Sequence, residues 1–200
     1  MRDPLKLDDR EDTTRELEMF VFELAGRDRG VVVALSGGLD SALVLALAAR
    51  ALGAARVRAL LLPDGEVTPD GDMDDARAWA EALGVPAHKL GLGGPLRELR
   101  YAYDGALAGD ARAWGNLKAR LRMALGYAVA NLEGRLVLGT GNRSELLLGY
   151  FTKHGDGAAD ALPLGGLYKT QVVQLGRHLK LPGAILAKRP SAGLWAGQTD

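Results

Sequence analysis

Residues 36–38 form a serine–glycine–glycine turn between two apolar segments, and few folds accommodate that order. The run before the turn, Val31–Leu35, is mostly β-branched and carries no polar side chain. The segment after it, from Ser41 to Leu52, is almost entirely Ala, Leu and Val. Apolar runs without polar alternation are typical of strands and helices that are covered on both faces. The turn therefore predicts a strand–turn–helix unit within a parallel sheet.

Further segments repeat the alternation of strand and helix. The apolar run Val57–Leu62 predicts a second strand, and further strands are predicted at Val85–Leu90 and Arg135–Leu138. Helices are predicted at about residues 13–24, 41–52, 72–83, 95–107, 111–132 and 170–179, and an ordered loop at 155–166. Thr13 with Glu16 has the capping-box pattern of a helix start. We therefore expect an α/β fold, a Rossmann-like parallel sheet with helices on both faces.

Length and charge limit the number of domains and the kinds of partner. The chain has 200 residues, 48% of them hydrophobic, so we expect a single domain over residues 1–200. Its 25 basic and 25 acidic residues cancel, which argues against nucleic acid or an anionic membrane as a partner. The absence of cysteine excludes a thiol nucleophile, a Cys-based zinc site and a Cys-dependent glutaminase within this chain. Met1–Thr14 is rich in charge and no segment is apolar for long enough to span a bilayer, so we expect a cytoplasmic protein.

The turn has the composition of a phosphate-binding loop. At the carboxyl end of a parallel strand, the next helix offers free amide donors and a partial positive charge. Gly37 and Gly38 allow the backbone to approach phosphate oxygens, and the hydroxyls of Ser36 and Ser41 add donors. Asp40 would repel the phosphates unless a cation such as Mg²⁺ lay between them. The loop therefore predicts a phosphate site that includes a metal.

Six motifs carry a resemblance to a known family. Residues 36–41 read Ser-Gly-Gly-Leu-Asp-Ser, which resembles the pyrophosphate loop of the N-type ATP pyrophosphatases, and neither common nucleotide-binding glycine motif occurs in the chain. Five more motifs follow in the order found in NAD synthetases: Asn116–Met123, Gly139–Glu145, Gly149–Gly157, Leu167–Thr170 and Lys188–Ala192. On these motifs, residues 31–200 are similar to the ammonia-dependent NAD synthetases, which have the adenine nucleotide α-hydrolase-like fold.

The resemblance implies a two-step reaction with Mg²⁺ as the metal cofactor and with ATP, deamido-NAD and ammonia as substrates. The nicotinate carboxylate attacks the α-phosphorus of ATP and releases pyrophosphate, and ammonia then displaces AMP. Asp40, Glu145 and Lys169 match the catalytic positions, and the first two match the metal ligands. The residues that match ATP contacts are Ala34, Leu35, Ser36, Gly37, Gly38, Leu39, Asp40, Ser41, Thr140, Lys169 and Ser191. Those that match deamido-NAD contacts are Arg120, Lys153 and Asp160. A homodimer is also implied, and we predict its contact on the helices between Pro95 and Leu132.

Several of these residues also fit structural roles. Glu145 lies three residues after Asn142, as in a capping box, and Asp160 fits a turn. Arg120 shares a helical face with Asn116, Met123 and Tyr127, so we expect Lys118 and Arg122, on the opposite face, to be solvated or at a subunit contact. The three histidines have no metal-ligand spacing and are assigned surface or loop roles: His88, His154 and His178.

Two other function classes fit part of the pattern. Another N-type ATP pyrophosphatase would use the same loop with a different acceptor, although the missing cysteine argues against sulfur transfer and the zero net charge against tRNA. A nucleotide-binding module without chemistry would need the loop but not the combination of Asp40, Glu145 and Lys169. Family members continue past the Gly-Gln-Thr-Asp of residues 197–200, so we expect a C-terminal segment to be missing here.

Overall fold

Four parallel strands form the sheet, in the order β3–β2–β1–β4. This architecture is seen in a computed structural model that describes residues 5–101, 105–189, 191, 193 and 195. The strands are β1 Val31–Ala34, β2 Val57–Leu61, β3 Ala87–Lys89 and β4 Leu136–Leu138. Val31 of β1 pairs with β2 on one side and with β4 on the other, so β1 is central. The order matches the first four strands of a Rossmann sheet and confirms the predicted fold class.

Helices cover both faces of the sheet, as the lack of polar alternation predicted. In the described part of the chain they are α1 Arg10–Ala25, α2 Leu39–Leu52, α3 Asp70–Ala82, α4 Gly93–Arg100, α5 Ala106–Gly109, α6 Ala111–Glu133, α7 Arg143–Leu148, α8 Lys169–His178 and α9 Gly183–Leu186. Val31 and Val33 pack into the core that includes α1, α2, α3 and α8. Val32 packs on the opposite face with Ala130 of α6. Successive side chains of β1 are thus buried on opposite faces.

The first helix begins earlier than the capping-box pattern predicted. Asp9 is its N-cap, because the Asp9 side chain accepts from the amides of Glu11 and Asp12 at 2.8 and 3.0 Å. Thr13 lies inside α1, where its hydroxyl donates to the carbonyl of Asp9. The acids at 11 and 12 also favour a helix start at this point, since negative charge stabilises a helix N-terminus. The predicted cap at Thr13 is therefore wrong.

The segment Gly155–Gly166, predicted to be a loop, lies beside β4. The amide of Asp160 donates to the carbonyl of Val137 at 3.0 Å, and its carboxylate accepts from the amide of Val137 at 2.7 Å. Ala161 forms a parallel bridge with Leu138. These bonds place the loop at the edge of the sheet next to the end of β4. Across the described residues, no helix combines the length and the hydropathy that crossing a membrane requires.

Candidate nucleotide-binding site

The serine–glycine turn connects β1 to α2, as predicted. The hydroxyls of Ser36 and Ser41 lie 3.0 Å apart, and the Ser41 hydroxyl donates to the carbonyl of Gly38 at 3.0 Å. The amide of Gly38 donates to Ser36 Oγ at 3.3 Å. Gly38 is the N-cap of α2, and no side chain of the described residues caps that position. Because the first amides of a helix have no intrahelical partner, they are suited to bind phosphate oxygens.

Gly37 allows α3 to pack directly against the loop. Its φ is +82°, a left-handed conformation that favours glycine. A Cβ atom at this position would lie 2.2 Å from the carbonyl oxygen of Asp72, at the start of α3. A side chain is therefore excluded both by the backbone conformation and by the neighbouring helix.

Three elements meet at the carboxylate of Asp40, in the first turn of α2. Asp40 Oδ2 forms an ion pair with the ammonium group of Lys169, the first residue of α8. Asp40 Oδ1 accepts from the side-chain amide of Asn142 at 3.1 Å. The Asp40 and Lys169 side chains are 19% and 31% exposed, so the pair is only partly screened by solvent. Asp40 therefore already has a cationic partner, Lys169, in the absence of a metal.

Glu145 is joined to the same group through Asn142. The Asn142 side chain accepts from the Glu145 amide at 3.2 Å, and Glu145 Oε2 accepts from the Asn142 amide at 2.9 Å. This is the capping box that the sequence allowed, and it begins α7. Burial raises the pKa of Glu145, and the negative charge of Asp40 adds to the rise, against the lowering effects of the Asn142 amide and Lys169. The capping role therefore does not exclude a functional one, because the charge of Asp40 still acts on the Glu145 carboxylate.

The two acids have the chemistry of a Mg²⁺ site. Carboxylate oxygens are the ligands that Mg²⁺ prefers, and it commonly takes one or two of them together with substrate phosphates and water. Within the described residues, no cluster of three or more His, Cys, Asp or Glu side chains could hold a metal. A metal at Asp40 and Glu145 would consequently need phosphate oxygens or water to complete its coordination. Burial is the main cause of the raised pKa of Glu145 and the charge of Asp40 adds to it, so a cation held by both carboxylates would offset this cost.

The predicted acceptor residues lie around the exposed side of α6. Arg120 Nε donates to the carbonyl oxygen of Lys153 at 3.2 Å, and both residues are exposed. Asp160 accepts from the Tyr127 hydroxyl at 3.3 Å, two turns along the helix from Arg120. An open groove of about 660 Å³ runs along the first half of α6 and is lined by Arg112 and Arg120 among other residues. Two guanidinium groups in one groove are suited to a ligand that carries phosphates.

The opposite side of α6 is buried, contrary to the sequence expectation. Lys118 is 2% exposed and forms an ion pair with Asp64, which is 1% exposed. Arg122 donates to the carbonyl of Leu62 at 3.1 Å, and burial lowers its pKa although Asp64 raises it. Trp114, one turn before Lys118, packs into the same interior, so this side of the helix faces inward. Lys118 is therefore buried and Arg122 is half-buried, because Asp64 and the carbonyl of Leu62 provide partners inside the protein.

Comparison with known proteins gives the family. The sequence profile of the NAD synthase family matches residues 15–200. The NH(3)-dependent NAD(+) synthetase of Methanosarcina mazei is 45% identical over 194 residues, which are 96% of this chain and 76% of that protein. The chain belongs to the NAD synthase family. The chain spans 65% to 76% of the length of the curated relatives compared with it.

Solved structures of the NAD synthase family and its relatives have the same fold. NH3-dependent NAD synthetase from Campylobacter jejuni, in complex with the nitrate ion, aligns with a TM-score of 0.81 at 34% identity, covering 90% of this chain and 77% of that one. NMN synthetase from Francisella tularensis aligns with a TM-score of 0.86 at 38% identity, covering 96% and 79%. The family and the fold predicted from the six motifs are confirmed.

The sequence analysis missed two residues that contribute to the site in this member of the NAD synthase family. Asn142 was considered only as a helix cap, yet it is buried and connects Asp40 with Glu145. Lys188 was quoted within a motif without a role, yet its ammonium group reaches the carbonyl oxygen of Gly37. The sequence indicated the capping role of Asn142, but its contact with Asp40 depends on β4 lying next to β1, which only the structure shows. The contact of Lys188 had no local signal.

The remaining predicted residues lie near the carboxyl edge of the sheet or on the surface. Thr140 is half-buried in the connection from β4 to α7, and Ser191 is exposed, with Oγ accepting from the amide of Gly193. Pro190 and Ala192 of the last motif lie outside the described residues. Among the histidines, His88 and His154 are exposed and His178 lies 3.2 Å from Glu11, which agrees with the surface roles predicted for them.

Proposed function

We propose that this chain catalyses the amidation of deamido-NAD to NAD with ATP as the activating substrate and ammonia as the nitrogen donor. The observation that carries the proposal is the meeting of Asp40, Lys169 and, through Asn142, Glu145 at the start of the helix after the serine–glycine loop. The names of the relatives support the same reaction. Oxide is a very poor leaving group from a carboxylate, whereas AMP is a good one, so activation by ATP is needed.

The loop and Lys169 would hold the ATP phosphates. In the first step a nicotinate oxygen forms a bond to the α-phosphorus while the bond to the bridging oxygen breaks, and pyrophosphate leaves with the electron pair. Negative charge then grows on the leaving group, where the α2 amides, the Ser36 and Ser41 hydroxyls and the Lys169 ammonium stabilise it. In the second step the ammonia nitrogen attacks the carbonyl carbon, AMP leaves, and the nitrogen loses a proton. Thr140 and Ser191 are proposed as further contacts of ATP.

Mg²⁺ is the metal that we propose for Asp40 and Glu145. When bound, it would neutralise phosphate charge and polarise the α-phosphate. Asp40 already pairs with Lys169, so the ammonium group can remain near the phosphates as a second cation when the carboxylate binds a metal. Asn142 would orient both carboxylates, because it donates to one and caps the helix that carries the other.

The acceptor is proposed to bind along α6. Arg120 and Lys153 would form charge-assisted hydrogen bonds to its phosphates, and the groove that includes Arg112 offers room for an extended dinucleotide. Asp160 would accept from a ribose or amide donor, in competition with its present bonds to Tyr127 and Val137.

A smaller acceptor is a second candidate. The structure with the higher TM-score of the two described is named NMN synthetase, and it is 38% identical to this chain. The mononucleotide precursor carries the same nicotinate carboxylate but lacks the adenosine phosphate half. Chemistry at the carboxylate would be unchanged, and only the contacts along α6 would differ.

Exchange of labelled pyrophosphate into ATP tests the function and its alternatives in one assay. The proposal expects exchange that depends on Mg²⁺ and on added deamido-NAD, and nicotinate mononucleotide should be measured in parallel. Faster exchange with the mononucleotide would replace the proposed acceptor. ATP binding without exchange in the presence of either acceptor would contradict the proposal and would leave another N-type ATP pyrophosphatase or a non-catalytic module as the alternatives.

The nitrogen donor is tested by replacing ammonium with glutamine. The 200 residues contain no cysteine, so we expect the purified chain to use ammonium and to ignore glutamine. Turnover of glutamine by the purified chain alone would contradict this prediction. The cytoplasmic location and the absence of a nucleic-acid partner remain predictions from the sequence.

A homodimer is also proposed, with α7 added to the predicted contact helices. Leu146, Leu147 and Leu148 are 38%, 67% and 82% exposed, and Tyr150 and Phe151 nearby are also exposed. Adjacent exposed apolar side chains of this kind typically mark an interface. Light scattering of the wild type and of Leu147→Glu should show a dimer that the substitution weakens. A monomeric wild type at micromolar concentration would contradict the proposal.

A further inference from the structure

The ammonium group of Lys188 connects α3 with the serine–glycine loop of residues 36–41, which is called the phosphate loop below. Lys188 Nζ lies 2.7 Å from Asp72 Oδ1 and 2.7 Å from Asp75 Oδ2, and it donates to the carbonyl oxygen of Gly37 at 3.1 Å. An ammonium group has three N–H donors, so these partners use all of them. Burial lowers the pKa of Lys188, but its hydrogen bonds to Asp72 and Asp75 outweigh that effect and raise it. Lys188 is therefore a charged group held in place by two carboxylates.

The carbonyl that Lys188 binds determines the direction of the next amide. In a trans peptide the C=O and N–H bonds point in opposite directions, and the described part of the chain has no cis peptide bond. Since the Gly37 carbonyl points at Lys188, the Gly38 N–H points to the other side, where it donates to Ser36 Oγ at 3.3 Å. A rotation of this peptide would turn a carbonyl oxygen towards the side from which phosphate binds, and would remove a donor.

Two consecutive glycines make such a rotation inexpensive. Glycine adopts positive and negative φ about equally readily, so neither Gly37 nor Gly38 restrains the peptide between them. Apart from the bond of the Gly38 amide to Ser36 Oγ, the loop must therefore be held by contacts from outside. α3 provides one of these contacts through the backbone of Asp72 packed against Gly37, and it also carries both carboxylates that hold Lys188.

We propose that Lys188 is a positioning residue that keeps the phosphate loop in its anion-binding conformation by fixing the Gly37–Gly38 peptide, with Asp72 and Asp75 as its anchors. The residue acts through the backbone and needs no contact with the substrate. The inference rests on the proposed function only in assuming that the loop binds the phosphates of ATP.

The test measures ATP and deamido-NAD binding by calorimetry with Mg²⁺ present, on the full chain. In Lys188→Met we expect the Kd for ATP to rise about tenfold, as for the loss of one hydrogen bond to a charged group. The Kd for deamido-NAD should change less than about twofold, as expected for a site with no shared partner. Lys188→Arg, which keeps the charge and can donate to the same carbonyl, should recover part of the loss.

Asp75→Asn distinguishes positioning from a direct contact of Lys188 with phosphate. If Lys188 positions the loop, weakening its anchor also weakens ATP binding. If Lys188 instead binds phosphate directly, removal of a competing carboxylate would tighten ATP binding. Asp74→Asn is the matched control on the same helix, because Asp74 is exposed and pairs with Arg77 at 3.3 Å.

The results of these binding measurements decide whether Lys188 positions the loop. An unchanged Kd for ATP in folded Lys188→Met, or unchanged or tighter binding in Asp75→Asn, would overturn the role of Lys188 and leave the proposed function intact. If Lys188→Met does not fold, Asp75→Asn alone gives the decision, since Asp72 still holds the lysine. A wild-type chain that does not bind ATP would overturn both this inference and the proposed function.

Discussion

Asp40→Asn should lower stability because the carboxylate pairs with Lys169. A hydrogen bond between charged groups contributes about 1.5 to 3 kcal/mol. The two side chains are 19% and 31% exposed, which reduces the expected loss to about 1 to 2 kcal/mol. For a chain of this length the loss corresponds to a fall in Tm of about 2 to 8 °C. The amide oxygen can still accept from Asn142.

Glu145→Gln should leave the stability unchanged or slightly raised at pH 7. The amide oxygen can still accept from the Asn142 amide, so the capping box is kept. The pKa of Glu145 is raised on folding, mainly by burial. The stabilising contribution of such an acid is present below its unfolded pKa and is lost as the pH rises through its folded pKa. At pH 7 the charged group is therefore a net cost, which glutamine removes.

Asp40→Asn and Glu145→Gln should nevertheless each lose most of the adenylation activity. Loss of a group that only orients a metal ligand costs about 10- to 100-fold, so loss of a ligand oxygen should reduce pyrophosphate release by about 100-fold or more. Pyrophosphate release and Tm, each with and without ATP and Mg²⁺, give the comparison, with the exposed Glu81→Gln as control. Wild-type release in both variants would refute the two-carboxylate metal site. An unchanged Tm in Asp40→Asn would refute the stabilising role of Lys169.

Three further predictions concern other parts of the chain. Lys118→Met should reduce the free energy of unfolding in urea by about 3 to 5 kcal/mol, because Asp64 is left buried and unpaired; a loss below about 1 kcal/mol would show that the pair is hydrated. Arg120→Ala should weaken deamido-NAD binding by about 10- to 100-fold and leave ATP binding unchanged, and equal loss of both ligands would indicate a structural role. Gly37→Ala should weaken ATP binding more than deamido-NAD binding, because its Cβ would lie 2.2 Å from the Asp72 carbonyl; wild-type affinity would contradict the close packing.

Much of the fold could be predicted because its signals are local. Val31–Leu35 has no polar side chain and Val57–Leu62 has only Arg58, and the structure places both in the centre of the sheet with helices on each side. The ends of helices were harder to predict, because two nearby residues can each have a side chain suited to cap the same helix. Asp9 and Thr13 both have capping side chains, and the upstream residue forms the cap in the structure.

The faces of α6 could not be predicted from its sequence. Charged side chains are usually exposed, so Lys118 and Arg122 were placed on the outside. Whether a lysine can be buried depends on a partner elsewhere in the chain, and Asp64 follows β2 rather than lying on the same helix. The sign of the charge alone does not identify such a partner.

The sequence by itself determined the serine–glycine turn between β1 and α2 and the family, because residues 36–41 are contiguous and the six motifs are read in order. Only the tertiary structure decided which charges meet around that loop. The strand order places β4 beside β1, which brings Asn142 to Asp40 across 102 residues, while Lys169 reaches Asp40 across 129 and Lys188 reaches Gly37 across 151. Contacts at such separations depend on how the sheet and its helices pack, since neither periodicity nor local spacing carries information about distant partners.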